Sequence, residues 1–138
     1  MDMQSVVKMV SDIRKQSAGN LTIGKILDKI NGFDGKETFA LTNNKYLTGE
    51  FDSYRGYYED LALEYHEEDT GFNTIEQLKR LLNNALQAKK MYGYKGGGFS
   101  ITKDTLVWVA NYSHLGEMII DIQKINDSII VITKEEEW

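Results

Sequence analysis

An arginine set among tyrosines is the first place in this chain where residue type and spacing suggest chemistry. In Ser53-Tyr54-Arg55-Gly56-Tyr57-Tyr58 a guanidinium has rings on both sides and a glycine beside it. A guanidinium offers a planar fork to a carboxylate or phosphate and stacks on aromatic faces. A glycine admits a ligand or a second backbone at close range. A later stretch, Tyr92-Gly93-Tyr94-Lys95-Gly96-Gly97-Gly98, joins rings, a lysine and a run of glycines. Exposed amides of such a loop can form an anion nest. The G-x-x-x-x-G-K-[ST] order of a phosphate-binding loop is absent, and a strand rather than a helix is expected to follow. Further on, Trp108 lies inside an apolar run that ends in Asn111 and Tyr112. A buried Asn amide can read one donor and one acceptor. The two tyrosine-bearing stretches are read as two walls of one ligand site. Its candidate residues are Tyr54, Arg55, Gly56 and Tyr57 on one side, with Tyr94, Lys95, Gly96, Gly97, Trp108, Asn111 and Tyr112 on the other.

Each residue also has a structural reading. Arg55 can pair with Glu59 or Asp60 at the surface, a contact worth little. The glycine stretch can be a plain helix-to-strand connection, with Gly93 or Gly96 as a C-cap. Trp108 can be a core ring, whose N–H then needs an acceptor. Asn111 can serve turn chemistry with Ser113.

Composition narrows the function classes. No cysteine is present, which excludes disulfides, thiolate metal sites and cysteine nucleophiles. His66 and His114 are the only histidines. Neighbouring His66, Glu67, Glu68 and Asp69 do not converge without a special turn, so no metal is expected. No nucleophile–base–orienter set, HExxH or GxSxG occurs, and neither catalysis nor a cofactor has positive support. The net charge is −5, and only Arg14, Arg55 and Arg80 among the 16 basic residues are arginines. The one local basic excess runs Lys79, Arg80, Lys89, Lys90, Lys95. Duplex nucleic acid is therefore not an expected partner, while a small anion is compatible. No apolar run nears the roughly 20 residues that span a bilayer, and no signal peptide is visible. No membrane partner and a cytoplasmic setting are the expectation.

The elements that must position these residues show as periodicities. Met3, Val6, Val7, Val10 and Ile13 mark one face of a helix over 3–16. Met3, Val6, Val10 and Ile13 also step like a short coiled-coil seam. This helix either covers the chain's own core or meets a symmetry mate, and a homo-oligomer is expected to use it. Residues 1–20 are thus read as an added N-terminal helix on a core domain over 21–138. Thr22 caps a second helix with Ile23, Ile26, Leu27 and Ile30 inward. Thr38 to Leu41 and Tyr46 to Thr48 suggest short strands turning at Asn43-Asn44. Leu61, Leu63 and Tyr65 alternate with Ala62, Glu64 and His66, a strand with one wet face. Thr74-x-x-Gln77 has capping-box spacing. It opens a helix to about Lys90, with Ile75, Leu78, Leu82, Ala85 and Leu86 inward. Val107 to Tyr112 reads as a central strand. Met118 to Ile125 and Ile129 to Thr133 read as a hairpin through Asn126-Asp127. The fold class is α+β: one domain, an antiparallel sheet packed with two to three helices.

Five segments, T-I-G-K-I-L-D-K-I, D-S-Y-R-G-Y-Y-E-D-L-A-L, T-I-E-Q-L, Y-G-Y-K-G-G-G-F and T-L-V-W-V-A-N-Y-S, follow one another in that order. Their order resembles a group of small bacteriophage- and prophage-encoded proteins, over roughly residues 21–125. Gly98 stands where that group would place an acidic residue. The resemblance carries over no established activity. It implies a phage-type protein acting in the host cell against host defence, as an oligomer that sequesters a small anionic, nucleotide-derived ligand without cleaving it. In such a site Tyr54, Tyr57 and Trp108 would stack on rings, Arg55 and Lys95 would pair with phosphate, and the Gly96–Gly98 amides would donate. A protein–protein inhibitor of a host defence enzyme is the alternative, since negative charge and exposed tyrosines suit a protein partner too. A hydrolase of a nucleotide signal is the third reading.

Overall fold

The computed structural model describes residues 3–16, 19–56, 59–92, 98–111 and 114–135. Its helices are α1 (Met3–Gln16), α2 (Ile23–Ile30) and α3 (Ile75–Ala88). Local chemistry starts the latter two as the sequence implies. Thr22 Oγ1 accepts from the Lys25 amide, and Thr74 Oγ1 from the Gln77 amide, each at 3.2 Å. Gln77 Oε1 in turn accepts from the Thr74 amide at 2.9 Å, completing the capping box. α3 stops at Ala88, short of the expected Lys90. Lys89 turns left-handed (φ 62°) and Lys90 begins a strand. Leu81 joins Ile75, Leu78, Leu82 and Ala85 on the buried face. Among the described residues no helix is long and apolar enough to cross a membrane.

The strands are β1 (Phe39–Leu41), β2 (Tyr46–Ser53), β3 (Leu61–His66), β4 (Lys90–Tyr92), β5 (Gly98–Ser100), β6 (Val107–Val109), β7 (Glu117–Ile125) and β8 (Ser128–Glu135). Six of them form one curled sheet in the order β1-β8-β7-β6-β3-β2, and β4 pairs with β5 alone. The sheet is mostly antiparallel, with parallel contacts at β1–β8 and β3–β6. The β7–β8 hairpin turns through Asn126 (φ 48°) and Asp127 (φ 65°), the left-handed pair that a tight two-residue turn requires.

Three strand expectations are corrected. β1 and β2 do not form a hairpin across Asn43-Asn44: they are the two opposite edges of the sheet. The short connection pulls those edges toward one another, and a cavity of about 130 Å³ between Phe39, Leu41, Tyr46 and Leu47 remains in the seam. β3 has no wet face at its start, because Leu61, Ala62 and Leu63 are all buried. Ala62 lies beside Trp108 in the ladder, and that indole fills the face expected to meet water. β6 is central as expected but ends at Val109; the Ala110 amide still donates to the Leu63 carbonyl at 3.0 Å.

The sheet is covered on both faces. On its inner face α2 and α3 bury Ile23, Ile26, Ile30, Ile75 and Leu82 against Leu61, Leu63, Val107, Ile119 and Val131. On the outer face Val10 of α1 packs with Ile120 and Ile132, and Val6 and Ile13 join that cluster with Met118 and Ile130. The apolar seam of α1 thus covers the chain's own β7–β8 hairpin, while Val7 stays 60% exposed. Arg14 fixes the end of α1: its Nε donates to the Thr133 carbonyl at 2.9 Å, and Lys134 Nζ donates to the Arg14 carbonyl at 3.1 Å.

Candidate functional site

The Arg55 segment is a tight turn, Tyr54–Gly56, hung between β2 and β3. Arg55 holds φ 56° and ψ 10° there. That left-handed conformation is uncommon for a residue with a Cβ. The surroundings impose it. The Tyr54 amide donates to the Asp60 carbonyl at 2.8 Å, closing the loop across its base. The Tyr54 ring lies flat on Trp108, with centroids 4.1 Å apart and planes within 4°. Trp108 Nε1 donates to Asp60 Oδ2 at 2.9 Å, and the Gly116 amide donates to the Tyr54 hydroxyl at 3.2 Å. Tyr54 is 2% exposed and Trp108 5%. The faces expected to receive a ligand ring are therefore covered, by each other and by Ala62, Ala110 and Met118. These two rings build the platform beneath the Arg55 turn. Asp60, which the sequence offered only as an ion-pair partner for Arg55, is the acceptor the indole needs.

Electrostatics follow burial here. Half-burial raises the Asp60 carboxyl above its ordinary value, the indole hydrogen bond offsets this in part, and Glu59 adds to the rise. On the neighbouring stretch of β3, burial raises the Glu64 carboxyl, and the like charges of Asp52 and Glu50 raise it further.

The glycine stretch does not join a helix directly to a strand, as expected; it joins two antiparallel strands. Tyr92 lies opposite Gly98 in the β4–β5 ladder, and the Ile101 amide donates to the Lys89 carbonyl at 2.8 Å below it. Phe99 seats the hairpin on the main core. β4 lies against β2, the strand that runs into the Arg55 turn. Tyr57, Tyr94, Lys95, Gly96, Gly97 and Tyr112 lie outside the described residues. Gly56 closes the Arg55 turn. Asn111 is engaged at the far end of β3 from the Arg55 turn: its Oδ1 accepts from the Tyr65 amide at 3.0 Å and so prolongs the β6–β3 ladder past the end of β6.

Sequence reading missed a second place. A cavity of about 440 Å³ opens where the strand ends meet, walled by Asn43, Lys45, Tyr65, Val109, Leu115, Gly116, Glu117 and Glu135. Lys45 Nζ bonds both carboxylate oxygens of Glu67, at 2.7 and 2.6 Å, and lies 5.9 Å from the Tyr65 ring centroid. The hydrogen bond to Glu67 raises the Lys45 ammonium's pKa, desolvation opposes it, and the charge of Glu67 with the nearby Tyr65 and Glu117 raises it further. Among the described residues no group of three His, Cys, Asp or Glu side chains is placed to hold a metal ion. No protein-family model matches the chain, nor does any curated protein or solved structure.

Proposed function

We propose that this protein is a non-catalytic binding protein that sequesters a small anionic, nucleotide-derived ligand at the corner shared by the Arg55 turn and the β4–β5 hairpin. The observation that carries the reading is the backbone of Arg55. A non-glycine residue in the left-handed region costs energy, and it persists where surrounding structure over-determines it. Here the Tyr54–Trp108 stack and the Tyr54–Asp60 closure supply that determination. The same rigidity keeps a guanidinium-bearing residue at a fixed point, which lowers the ordering cost of binding. The setting that the sequence resemblance implies, action against host defence, belongs to this proposal too.

Native mass spectrometry with a panel of cyclic nucleotides separates intact ligand, cleaved ligand and no ligand; cleavage would turn the reading to a hydrolase. Calorimetry on three variants then tests the residue. A charge-assisted bidentate contact is worth about 1.5–3 kcal/mol, so Arg55→Ala is expected to weaken binding roughly ten- to a hundredfold. Arg55→Lys should recover only part, since an ammonium lacks the fork. Arg55→Gly should bind as poorly as Arg55→Ala yet be more stable by about 1 kcal/mol, because glycine accepts the left-handed turn without strain. Full affinity in Arg55→Ala would remove Arg55 from the site.

A further inference from the structure

The cavity at the strand ends is separate from the Arg55 corner, and its chemistry has the opposite sign. Its volume of about 440 Å³ falls in the range of small-molecule sites. Glu117 and Glu135 face each other directly across β7 and β8 and both line it. Directly opposed side chains in such a pair start about 5 Å apart, close enough for one cation to meet both carboxylates. Like charges so placed repel, and among the described ion pairs none includes either residue. Lys45 lines the same cavity and feels the Glu117 charge, but its ammonium is bonded to both oxygens of Glu67, so one lysine is shared among three carboxylates and the pair keeps a net negative charge.

Glu117 is also held in place. The Thr133 hydroxyl donates to Glu117 Oε1 at 3.1 Å, from a residue that is wholly buried. With that hydrogen committed, the Thr42 hydroxyl is the donor in its 3.0 Å contact with Thr133 Oγ1. Thr42 Oγ1 in turn accepts from the Thr133 amide at 2.9 Å and from an Arg14 guanidinium N–H at 3.2 Å. A chain of hydrogen bonds running back to α1 thus fixes one carboxylate before any ligand arrives. The Tyr65 ring and the half-exposed Leu115 add apolar wall beside it.

We propose that this cavity binds a small organic cation, a primary ammonium or guanidinium on a short apolar body, with its head between Glu117 and Glu135 and its body along Tyr65 and Leu115. An organic cation is favoured over a metal ion because the described residues bring no third metal-binding side chain to the pair.

Titration calorimetry with agmatine and spermidine, and with succinate as the opposite charge, tests this. Agmatine or spermidine should bind saturably. Its affinity should fall about tenfold or more in Glu117→Gln and in Glu135→Gln, and should weaken as salt is raised. If Glu117→Gln disturbs folding through Thr133, Glu135→Gln at the exposed strand end carries the comparison. No saturable binding of either cation up to about 10 mM, a Kd well outside small-ligand recognition, would overturn the proposal. So would unchanged cation affinity in folded Glu135→Gln, or tighter binding of succinate than of the cations.

Discussion

Trp108 buries an indole whose N–H must find an acceptor, and the acceptor it finds, Asp60, is a charge drawn half out of water. Burial makes the folded chain hold the Asp60 proton at higher pH than the unfolded chain does. The group therefore adds stability as pH falls through its folded value, completely below the unfolded one, and costs stability above both. Asp121 and Glu37 run the other way. Burial raises Asp121, but hydrogen bonds from Lys29, Gln123 and the Ile122 amide outweigh it; the Lys124 contact lowers Glu37. Their contributions are present above the ordinary carboxylate value and fade as pH falls through the folded one. Asp60→Asn keeps an oxygen for the indole and removes the charge. It should melt slightly higher than the parent at pH 7, by less than about 1 kcal/mol given solvent screening, and the difference should vanish in acid. Asp60→Ala should instead cost about 1–3 kcal/mol, because the indole N–H is left unpaired. Thermal melts of both variants across pH check the pair; a lower melting point for Asp60→Asn at pH 7 would sink the account. Trp108's need for a partner was legible in the sequence. Which carboxylate meets it was not, because Asp60 reaches the indole through the β3–β6 pairing, 48 residues apart in the chain.

At the scale of elements, short-range signals were readable and long-range pairing was not. Thr22 and Thr74 announce their helices because a cap acts within three residues. Asn126-Asp127 announces the β7–β8 hairpin because both residues tolerate positive φ. Nothing local announces that Phe39–Leu41 runs parallel to Ile129–Val131. The same limit applies to α1. Its periodicity shows that one face is buried without saying against what, and the structure lays that face on Ile120 and Ile132 of the same chain. Removing residues 1–18 should therefore uncover an apolar sheet face as well as test for assembly. The truncated chain is expected to melt lower and to bind a hydrophobic dye. Val10→Ala should cost about 2 kcal/mol through lost burial and the space left behind. Light scattering and melting on the same samples separate the roles: a smaller assembly with unchanged stability would show that α1 meets a symmetry mate instead.

For the molecule as a whole, the curl of the sheet turns strand ends into cavity walls, and Gly116, leading into β7, lies tightly against the end of β6. A Cβ at Gly116 would stand 2.3 Å from the Val109 carbonyl oxygen and 2.4 Å from the Ala110 Cβ. The first contact is with backbone, so the connection between β6 and β7 would have to move, not merely a side chain. That connection bears on two places at once. The Gly116 amide holds the Tyr54 hydroxyl at the edge of the aromatic platform, and Gly116 itself lines the cavity beside Glu117. The cavity was illegible in the sequence for the same reason: its walls come from segments between Asn43 and Glu135 that only the curl brings together. Gly116→Ala should destabilise the fold by about 3 kcal/mol, as overpacking against backbone does. It should also weaken the near-ultraviolet circular dichroism of the Tyr54–Trp108 stack and reduce agmatine affinity. Ala at an exposed glycine such as Gly32, where an added Cβ would come no nearer than 4.0 Å to the Lys29 carbonyl oxygen, is the control and should change none of these. If Gly116→Ala retains the stability and aromatic signal of the parent, the close approach of β6 to the β7 lead-in does not hold in solution. The link between platform and cavity would then be lost with it.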